Sequence, residues 1–368
     1  MIYRTLGRTG LKVSQLGFGA MRLPMVGEGE AARVNLDLAV PMIHRAFEGG
    51  VNYIDTAVFY CNQDSQRAVG AALKGWRDKI IVSTKNHYFG ESEKEWWQNL
   101  EDSLERLQVS WIDIYNHHGI GWSTYTDAIE PRVRSWMEKA KGQGLIRHIC
   151  TSFHDNNAAL RKIVETGYPD VITLQYNLLD RSLGDGIAFT HERGIGIVVM
   201  GPFGGGRLGV PLAAFAGVAP GVSRVPELAL RFVLNNPAVS VALSGMSTLE
   251  QVVENVGIAG DPVALKPDDE KAVGEHLLRL RKMADLYCTG CRYCLPCPNG
   301  VDIPGIFEQY NVGRVYELWD SARGSYDWFV KEKKSAEHCV DCGECEARCP
   351  QKIPIRRQLK EAHAKLSR

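Results

Sequence analysis

The sequence predicts an α/β chain in which a (β/α)8 TIM barrel is followed by a smaller helical domain. Over roughly the first 260 residues, about eight short apolar segments alternate with amphipathic helical stretches, which is the order and length typical of a barrel. A turn-rich segment precedes the first of these strands. Beyond the last one, the composition changes to a cysteine-rich tail. We therefore expect a barrel domain at residues 1–266 and a helical domain at residues 267–368.

The eight strand candidates are short apolar segments separated by helical stretches such as 93–107 and 126–142. They are residues 16–19, 51–54, 80–82, 112–115, 145–150, 171–174, 195–200 and 239–243. Residues 3–13, with glycines at two turn positions, predict a hairpin that closes the floor of the barrel. A doubly wound sheet is the alternative, but it requires a longer glycine-rich turn than the one at residues 17–19.

Composition limits the classes of partner. The 368 residues include 43 Lys and Arg and 43 Asp and Glu, so the charge balance predicts no nucleic-acid partner. Apolar stretches stay shorter than the roughly 20 residues of a membrane span, and the first residues lack the apolar core of a signal peptide. Reduced cysteines belong in a reducing compartment. We expect a cytoplasmic protein with no membrane partner.

Eight of the ten cysteines lie in two runs near the C-terminus. The first run is Cys288, Cys291, Cys294 and Cys297, and the second is Cys339, Cys342, Cys345 and Cys349; a proline follows each run. C-x2-C-x2-C spacing that closes on Cys-Pro is typical of proteins with two [4Fe–4S] clusters. Zinc and disulfides are the alternatives, but zinc sites usually use two separated pairs of ligands. The sequence therefore predicts eight metal ligands and two clusters.

In such pairs of runs, the last cysteine of one run ligates the other cluster. One cluster would use Cys288, Cys291, Cys294 and Cys349, and the other Cys339, Cys342, Cys345 and Cys297. The first run has two residues rather than three before its last cysteine, so this crossed assignment is a hypothesis. Helical, aromatic-rich residues separate the runs, and the tail resembles an α-helical ferredoxin-like domain. Cys61 and Cys150 are isolated, which favours small apolar packing.

Four barrel residues have the side chains of a proton-donor site. Asp55, Lys85 and His118 end predicted strands, and Tyr60 follows the first of them by five residues. The C-terminal ends of barrel strands converge on one face. A tyrosine with its usual pKa of about 10 donates protons poorly at neutral pH, and a nearby ammonium lowers that pKa. The aspartate would anchor the lysine, and the histidine would orient a carbonyl group.

Each of these four residues has a structural alternative, such as a helix cap, a surface lysine or a core histidine. Their order along the chain favours the catalytic interpretation. Because neighbours along a strand face opposite ways, we expect His117 to point away from the site that His118 enters. His154 is near the same rim, and we assign it to a loop.

Several further motifs accompany these residues in a fixed order. They are Gly17-Phe18-Gly19 with Met21, Asp55-Thr56-Ala57 with Tyr60, Ser83-Thr84-Lys85, His118, Gly144-Leu145-Ile146-Arg147, Gln175-Tyr176-Asn177, Gly201-Pro202-Phe203-Gly204-Gly205-Gly206 and Glu254-Asn255. With them, residues 2–260 resemble the aldo-keto reductase family. The whole chain resembles the branch of that family with a C-terminal iron–sulfur domain. The resemblance implies hydride transfer between a nicotinamide cofactor and a carbonyl or alcohol substrate.

The resemblance also implies a set of cofactor-binding residues. They are Gly19, Met21, Asp55, Ser152, Gln175, Gly201, Pro202, Gly204, Arg207, Glu254 and Asn255. Relatives that bind NADP usually place a cation in the segment occupied here by residues 245–247, or at Gln251, and this chain has none there. Arg207 could take that role or could be a rim arginine, so the choice between NADP and NAD stays open. A flavin could occupy the mouth, although no separate flavin motif is present.

Three functional hypotheses follow. The first is a carbonyl reductase whose clusters relay electrons to or from a ferredoxin, another redox partner or the active site. The second is an electron-transfer or interaction protein that uses the barrel as a scaffold. The third is a reductase with purely structural clusters. Aromatic residues that flank the strands allow either an aromatic or extended apolar substrate or simple packing. They are Tyr88, Phe89, Trp122, Tyr125, Phe153 and Tyr176.

Overall fold

A computed structural model describes residues 1–178, 180–206, 208, 222, 224–261, 265, 267–279, 288–316 and 319–367. The chain divides into two compact units. The first comprises Met1–Phe203 and Pro226–Lys266, and the second comprises Gly204–Val225 and Pro267–Arg368. The sequence-based division into residues 1–266 and 267–368 stays a prediction.

The first unit contains a closed barrel of eight parallel strands. Its strands are β3 (Leu16–Gly19), β6 (Tyr53–Asp55), β7 (Ile81–Asn86), β8 (Ile112–Ile120), β9 (Ile146–Phe153), β10 (Val171–Gln175), β11 (Gly196–Met200) and β12 (Val241–Ser244). They pair in this order, and β12 pairs with β3 to close the barrel. Short hairpins pair β1 (Tyr3–Thr5) with β2 (Lys12–Ser14) and β4 (Met25–Val26) with β5 (Arg33–Val34). The predicted TIM barrel is confirmed.

Helices surround the barrel and bury their apolar faces against it. They are Leu36–Glu48, Ser65–Ala72, Glu93–Leu107, Trp122–Thr124, Arg134–Gly142, Asn157–Glu165, Gly184–Glu192, Val225–Asn235 and Leu249–Gly260. Ser92 caps the third of them by accepting a hydrogen bond from the Glu95 backbone N–H, which satisfies a donor left free at a helix start. The helical stretch predicted at 126–142 is confirmed; it consists of a π-helix, Tyr125–Val133, followed by an α-helix. Pro131 lies in the π segment, where it cannot donate a helical hydrogen bond.

The β1–β2 hairpin closes the end of the barrel at which the strands begin. Leu6 is fully buried in one apolar cluster with Tyr53 and Val198 from the barrel interior. The Arg4 guanidinium donates to the carbonyl oxygen of Val239 at 2.6 Å, just before β12. The predicted hairpin floor is therefore confirmed, and the open mouth lies at the C-terminal ends of the strands.

The second unit is helical and has a core of its own. Its helices are Pro267–Arg279, Ile303–Tyr316, Trp319–Lys331, Glu344–Arg348 and Ile355–Leu366. Ile306, Tyr326 and Leu359 are buried together with Cys345 and Cys349. The cysteines are thus part of the apolar core. Within the described parts of the chain, no helix has the length and apolar character to cross a membrane.

Candidate active site

A buried ion pair lies inside the barrel near its mouth. The Lys85 Nζ atom is 2.5 Å from Asp55 Oδ2 and donates a second hydrogen bond to the Thr56 carbonyl oxygen at 2.8 Å. Strand register places Asp55 beside Ser83, whose Oγ donates to Asp55 Oδ1 at 2.8 Å. Lys85 is 2 % exposed and Asp55 is 4 % exposed. Because both carboxylate oxygens accept hydrogen bonds, the buried charges are paired rather than isolated.

A chain of polar side chains supports this pair from the neighbouring strands. Asn116 Nδ2 donates to Ser83 Oγ at 3.0 Å, and Thr173 Oγ1 donates to Asn116 Oδ1 at 3.3 Å. Cys150 Sγ lies 3.5 Å from Thr173 Oγ1. Burial raises the pKa of Cys150 to about 12, so its thiol is unreactive, as its isolation in the sequence predicted. Satisfied networks of this kind fix side-chain positions.

Tyr60 and His118 complete the predicted set of four. Tyr60 lies on the turn after β6, and its ring centroid is 5.0 Å from Lys85 Nζ. The ring of His118 is edge-on to that of Tyr60, with 6.3 Å between centroids. The structure therefore brings Asp55, Tyr60, Lys85 and His118 together at one end of the barrel.

His117 and His118 point to opposite sides of β8. Burial, and then the Lys85 ammonium, hold the pKa of His118 well below its usual range, so its imidazole is neutral. His117 is fully buried, and its Nε2 is 2.9 Å from the Tyr168 hydroxyl oxygen. Burial lowers the pKa of His117 to about 3. The prediction that His117 faces away from the mouth is confirmed.

Two further histidines lie near the mouth. His154 follows β9, and its Nε2 is 3.4 Å from Ser152 Oγ. Burial and the Lys85 ammonium lower the pKa of His154 to about 4. Burial, with a smaller effect of Arg106, also lowers the pKa of His87. His154 was predicted as a loop residue, and no prediction was made for His87. Their spacing along the chain could have indicated them, because His87 lies two residues after Lys85 and His154 lies two residues after Ser152.

Gln175 and Gly201 form a close contact at the ends of β10 and β11. Gly201 has φ of 65°, which disfavours other residues, and a Cβ built there would lie 2.6 Å from Gln175 Nε2, so a side chain would displace the Gln175 amide. Asn177 Nδ2 donates to the Gly201 carbonyl oxygen at 3.0 Å. The Gln175 Nε2 atom is buried and has no hydrogen-bond partner among the residues that the structure describes. A buried amide N–H group without a partner is a suitable donor to the carboxamide oxygen of a nicotinamide.

The other predicted cofactor residues lie near the junction of β3 and β12. A Cβ on Gly19 would be 3.2 Å from the Ser244 carbonyl oxygen. Asn255 Nδ2 donates to Ser244 Oγ at 3.0 Å. Pro202 is buried, Glu254 is half-buried and Met21 is exposed. Gly204 belongs to the second unit, and Arg207 lies outside the described residues.

Arg22 is a cation that the sequence analysis missed. Its side-chain carbons lie 3.7–3.9 Å from the position of a Cβ on Gly245. Its carbonyl oxygen accepts a hydrogen bond from Ser247 Oγ at 2.8 Å. The 245–247 segment therefore lacks a cation of its own but has one beside it. More than 200 residues separate the two in sequence, and the pairing of β3 with β12 brings them together.

Most of the aromatic residues that flank the strands are packing residues. Tyr125 and Phe153 are fully buried, and Tyr176 is 9 % exposed. Tyr88, Phe89 and Trp122 pack against the main core. This placement favours packing over an aromatic recognition surface.

The cysteines of the second unit form two groups that cross between the runs. All ten cysteines of the chain are free thiols. Burial raises the pKa of Cys294 to about 12, and the thiols that raise it further are those of Cys288, Cys291 and Cys349. One cavity is lined by Cys297 together with Cys339, Cys342 and Cys345, and Cys294 also borders it. Each run therefore lies with the last cysteine of the other.

The two runs share one backbone conformation. Gly290 and Arg292, on either side of Cys291, have φ of 68° and 66°, and Asp341 and Gly343, on either side of Cys342, have φ of 60° and 81°. Left-handed residues of this kind turn successive N–H groups inward, as at many iron–sulfur sites. In the described ranges, no three His, Cys, Asp or Glu side chains converge on a single metal ion. The donor set fits four-iron cubes, in which each cysteine binds a different iron.

The glycine-rich segment of the second unit contacts the first cysteine loop. Gly205 has φ of 73°, and a Cβ there would lie 3.2 Å from Thr289 Cα and 3.6 Å from the Cys288 carbonyl oxygen. Both the backbone conformation and this close approach require glycine.

Comparison with known proteins places the chain in a family. The Aldo/keto reductase family matches residues 15–209, and the 4Fe-4S dicluster domain matches residues 287–353. L-galactose dehydrogenase of Arabidopsis thaliana is 31% identical over 294 residues, which cover 73% of this chain and 91% of that protein. The chain belongs to the aldo/keto reductase family and carries a C-terminal 4Fe-4S dicluster domain. It is an oxidoreductase, as the sequence predicted.

One further relative and two solved structures are also similar to this chain. The holo form of an aldo-keto reductase from Bacillus halodurans has a TM-score of 0.63 and 29% identity, covering 75% of this chain and 96% of that one. The NADH-specific methylglyoxal reductase of Escherichia coli is 28% identical over 304 residues, 68% of this chain and 91% of that protein. An aldo-keto reductase from Klebsiella pneumoniae in complex with NADPH shares the fold, with a TM-score of 0.64, 22% identity and coverage of 75% and 95%.

Proposed function

We propose that the barrel mouth catalyses hydride transfer between a nicotinamide cofactor and a small carbonyl or alcohol substrate. The observation that carries this proposal is the buried Lys85–Asp55 pair, with Tyr60 and His118 beside it. When bound, a nicotinamide dinucleotide supplies or accepts the hydride. The residues of this chain supply proton transfer, orientation and charge stabilisation.

Tyr60 is the proposed proton donor in carbonyl reduction. Asp55 and the Thr56 carbonyl hold the Lys85 ammonium in place. From 5.0 Å, that ammonium stabilises the negative charge that develops on Tyr60 as its hydroxyl proton moves to the substrate oxygen. In alcohol oxidation, the same oxygen takes the proton back.

His118 orients the substrate in this proposal. Its neutral imidazole can donate one N–H to the carbonyl oxygen without adding a net charge to the site. Ser152 and Gln175 would hold the carboxamide of the cofactor, because the Gln175 Nε2 atom is buried and has no hydrogen-bond partner among the described residues. The remaining proposed contacts are Gly19, Met21, Asp55, Gly201, Pro202, Glu254 and Asn255, with Gly204 and Arg207 assigned from the resemblance alone.

Both nicotinamide cofactors occur among the similar proteins. One is named an NADH-specific methylglyoxal reductase, and another was solved in complex with NADPH. Arg22 lies beside residues 245–247, so we propose that it contacts the 2′-phosphate when NADP is bound. The names of two relatives, L-galactose dehydrogenase and methylglyoxal reductase, support a small-molecule carbonyl or alcohol substrate.

We propose that the second unit holds two [4Fe–4S] clusters with crossed ligation. Cys288, Cys291, Cys294 and Cys349 would bind one, and Cys297, Cys339, Cys342 and Cys345 the other, which the two cysteine groups support. The clusters would relay single electrons to or from a ferredoxin, another redox partner or the active site. Eight reduced ligand thiols also favour a cytoplasmic location. Purely structural clusters are the second candidate, because several of these cysteines are part of the core.

The proton-donor role is tested by Tyr60→Phe. Loss of the phenol hydroxyl should lower kcat for aldehyde reduction by about 10²–10⁴-fold, while nicotinamide binding, followed by protein fluorescence, stays near normal. Tyr3→Phe is the matched control, since Tyr3 lies in the hairpin at the closed end. Unchanged turnover in Tyr60→Phe across several aldehydes would remove Tyr60 from the mechanism.

A further inference from the structure

The turn that follows Tyr60 has an unusual backbone conformation. Cys61, Asn62 and Gln63 come directly after it, and their φ angles are 51°, 53° and 67°. A left-handed residue other than glycine is disfavoured because its Cβ lies too close to the following carbonyl oxygen, although asparagine tolerates this conformation. In the described ranges, no other two left-handed non-glycine residues are adjacent. The turn beside the proposed proton donor is therefore strained.

Two side chains connect this turn to a hairpin outside the barrel. The hairpin comprises residues 25–34, from β4 to β5. Asn62 Nδ2 donates to the Gly29 carbonyl oxygen at 2.9 Å, and Asp64 Oδ2 accepts from the Val34 backbone N–H at 2.9 Å. Each strand of the hairpin has only two residues, and a two-stranded ribbon is marginally stable by itself. These two hydrogen bonds, the hairpin contacts, therefore stabilise both the hairpin and the turn.

The turn fixes Tyr60 through its backbone. The Tyr60 N–H donates to the Ala57 carbonyl oxygen at 3.3 Å, and the Ser65 N–H donates to the Tyr60 carbonyl oxygen at 3.2 Å. The second bond spans the three left-handed residues, so it depends on their conformation. Ser65 is buried, and its Oγ donates to the Ala20 carbonyl oxygen at 2.7 Å. A change in the turn would therefore move the Tyr60 ring from its place 5.0 Å from Lys85 Nζ.

We propose that Asn62 and Asp64 are positioning residues, which hold the left-handed turn and so keep Tyr60 beside Lys85. The strain of the turn opposes this conformation, and the two hairpin contacts offset the strain. The inference rests on the proposed function, because the position of Tyr60 affects turnover only if Tyr60 is the proton donor.

The first test measures kcat for propionaldehyde reduction and nicotinamide binding by protein fluorescence. Asn62→Ala removes a neutral hydrogen bond and should lower kcat by about threefold to tenfold, whereas Asp64→Ala removes a charged one and should lower it by about tenfold or more. Nicotinamide binding should stay within about threefold in both variants. Asp64→Asn keeps an acceptor oxygen and should retain most of the turnover. Asn99→Ala is the matched control, because it removes a side-chain bond of the same length, to the Glu95 carbonyl oxygen, on an outer helix.

Glycine substitutions distinguish positioning from general destabilisation. Glycine takes a positive φ without a steric penalty, so Cys61→Gly/Gln63→Gly should relax the turn. Added to Asn62→Ala, this pair should restore kcat to within about threefold of wild type, although the hydrogen bond to Gly29 is still absent. Gln108→Gly is the control, because Gln108 is also left-handed, with φ of 54°, but ends an outer helix. It should restore nothing.

The outcomes separate the inference from the proposed function. Full kcat in both Asn62→Ala and Asp64→Ala would overturn the inference, and so would a loss in Asn62→Ala that the glycine pair leaves unchanged. Full turnover in Tyr60→Phe would overturn the proposed function, and the inference with it. If Asp64→Ala fails to fold, as judged by circular dichroism, Asn62→Ala with and without the glycine pair still decides between these results.

Discussion

The barrel mouth and the cysteine loops hold their functional side chains in different ways. At the mouth, Asp55, Lys85 and His118 lie on strands whose register is fixed by backbone hydrogen bonds, and the buried charges are satisfied by the protein itself. In the second unit, Cys291 and Cys342 lie between left-handed turn residues, and Cys294, Cys345 and Cys349 are core residues. From this comparison we predict that the barrel keeps its site without a ligand, whereas folding of the second unit depends on the clusters proposed for its cysteines.

The largest expected effect concerns the clusters. Removing iron with a chelator, or changing Cys342 to Ala, should unfold the second unit, because metal binding there contributes directly to folding. Reconstituted wild-type protein should hold about eight irons and eight sulfides. Limited proteolysis and circular dichroism should show loss of the tail helices with the barrel retained.

Cys61→Ala is the matched control for this experiment, since Cys61 lies in the first unit. It should keep its full complement of iron. Stoichiometric zinc without labile sulfide, or a tail that stays folded after iron is removed, would contradict the comparison.

The next effect concerns the buried ion pair. Lys85→Met leaves the Asp55 carboxylate buried without its cation, which should cost about 3–5 kcal/mol in free energy of unfolding. The double variant Asp55→Asn/Lys85→Met should recover most of that stability but none of the reductase activity. Urea unfolding and aldehyde turnover measure the two separately. Equal destabilisation in the single and double variants would show that the cost comes from lost packing.

Acid should weaken the barrel through His117. Its pKa of about 3 in the folded state lies below the unfolded value of about 6.5, so the unfolded chain binds a proton first as the pH falls. Stability is complete above about pH 6.5 and declines toward pH 3, by roughly 2 kcal/mol between pH 6.5 and pH 5. His117→Gln should reduce the decline by that amount in urea unfolding at the two pH values. The same decline in both proteins would rule out His117 as its source.

The smallest effect concerns cofactor choice. Arg22→Gln should raise KM for NADPH by about threefold to tenfold and leave KM for NADH unchanged, because an exposed cation–phosphate contact contributes only modestly. Arg33→Gln is the control, since Arg33 contacts backbone carbonyls of its own short hairpin. An equal change for both cofactors would place Arg22 outside the phosphate site.

The fold was largely predictable because barrel strands follow simple rules. All eight strand candidates overlap observed strands, and the alternation rule separated His117 from His118. The helical stretch at 126–142 was predictable, but its π segment was not, because amphipathic spacing does not distinguish an α-helix from a π-helix. Strand β8 also extends further than predicted, to Ile120. Its second half was not predicted because residues 116–119 lack the apolar pattern that indicates a strand.

Site residues at the ends of predicted strands could be predicted from the sequence. Those brought together from distant loops could not. Asp55, Lys85 and His118 were found because each ends a predicted strand. Arg22 was missed because its neighbour Gly245 is far along the chain, and only barrel closure brings them together. His154 was missed because no single-sequence rule shows how a residue beyond a strand end turns. The predicted roles of all these residues stay predictions.

Closure of the barrel between β3 and β12 sets an order of events during synthesis. Leu16 pairs with Ala242, and Phe18 with Ser244, so the first barrel strand can pair with this neighbour only after the last barrel strand has been made. Because N-terminal domains generally fold first on the ribosome, the barrel can close before Cys288 leaves the exit tunnel. Delivery of iron and sulfide would then be the last step of maturation, acting on a protein whose barrel is already complete.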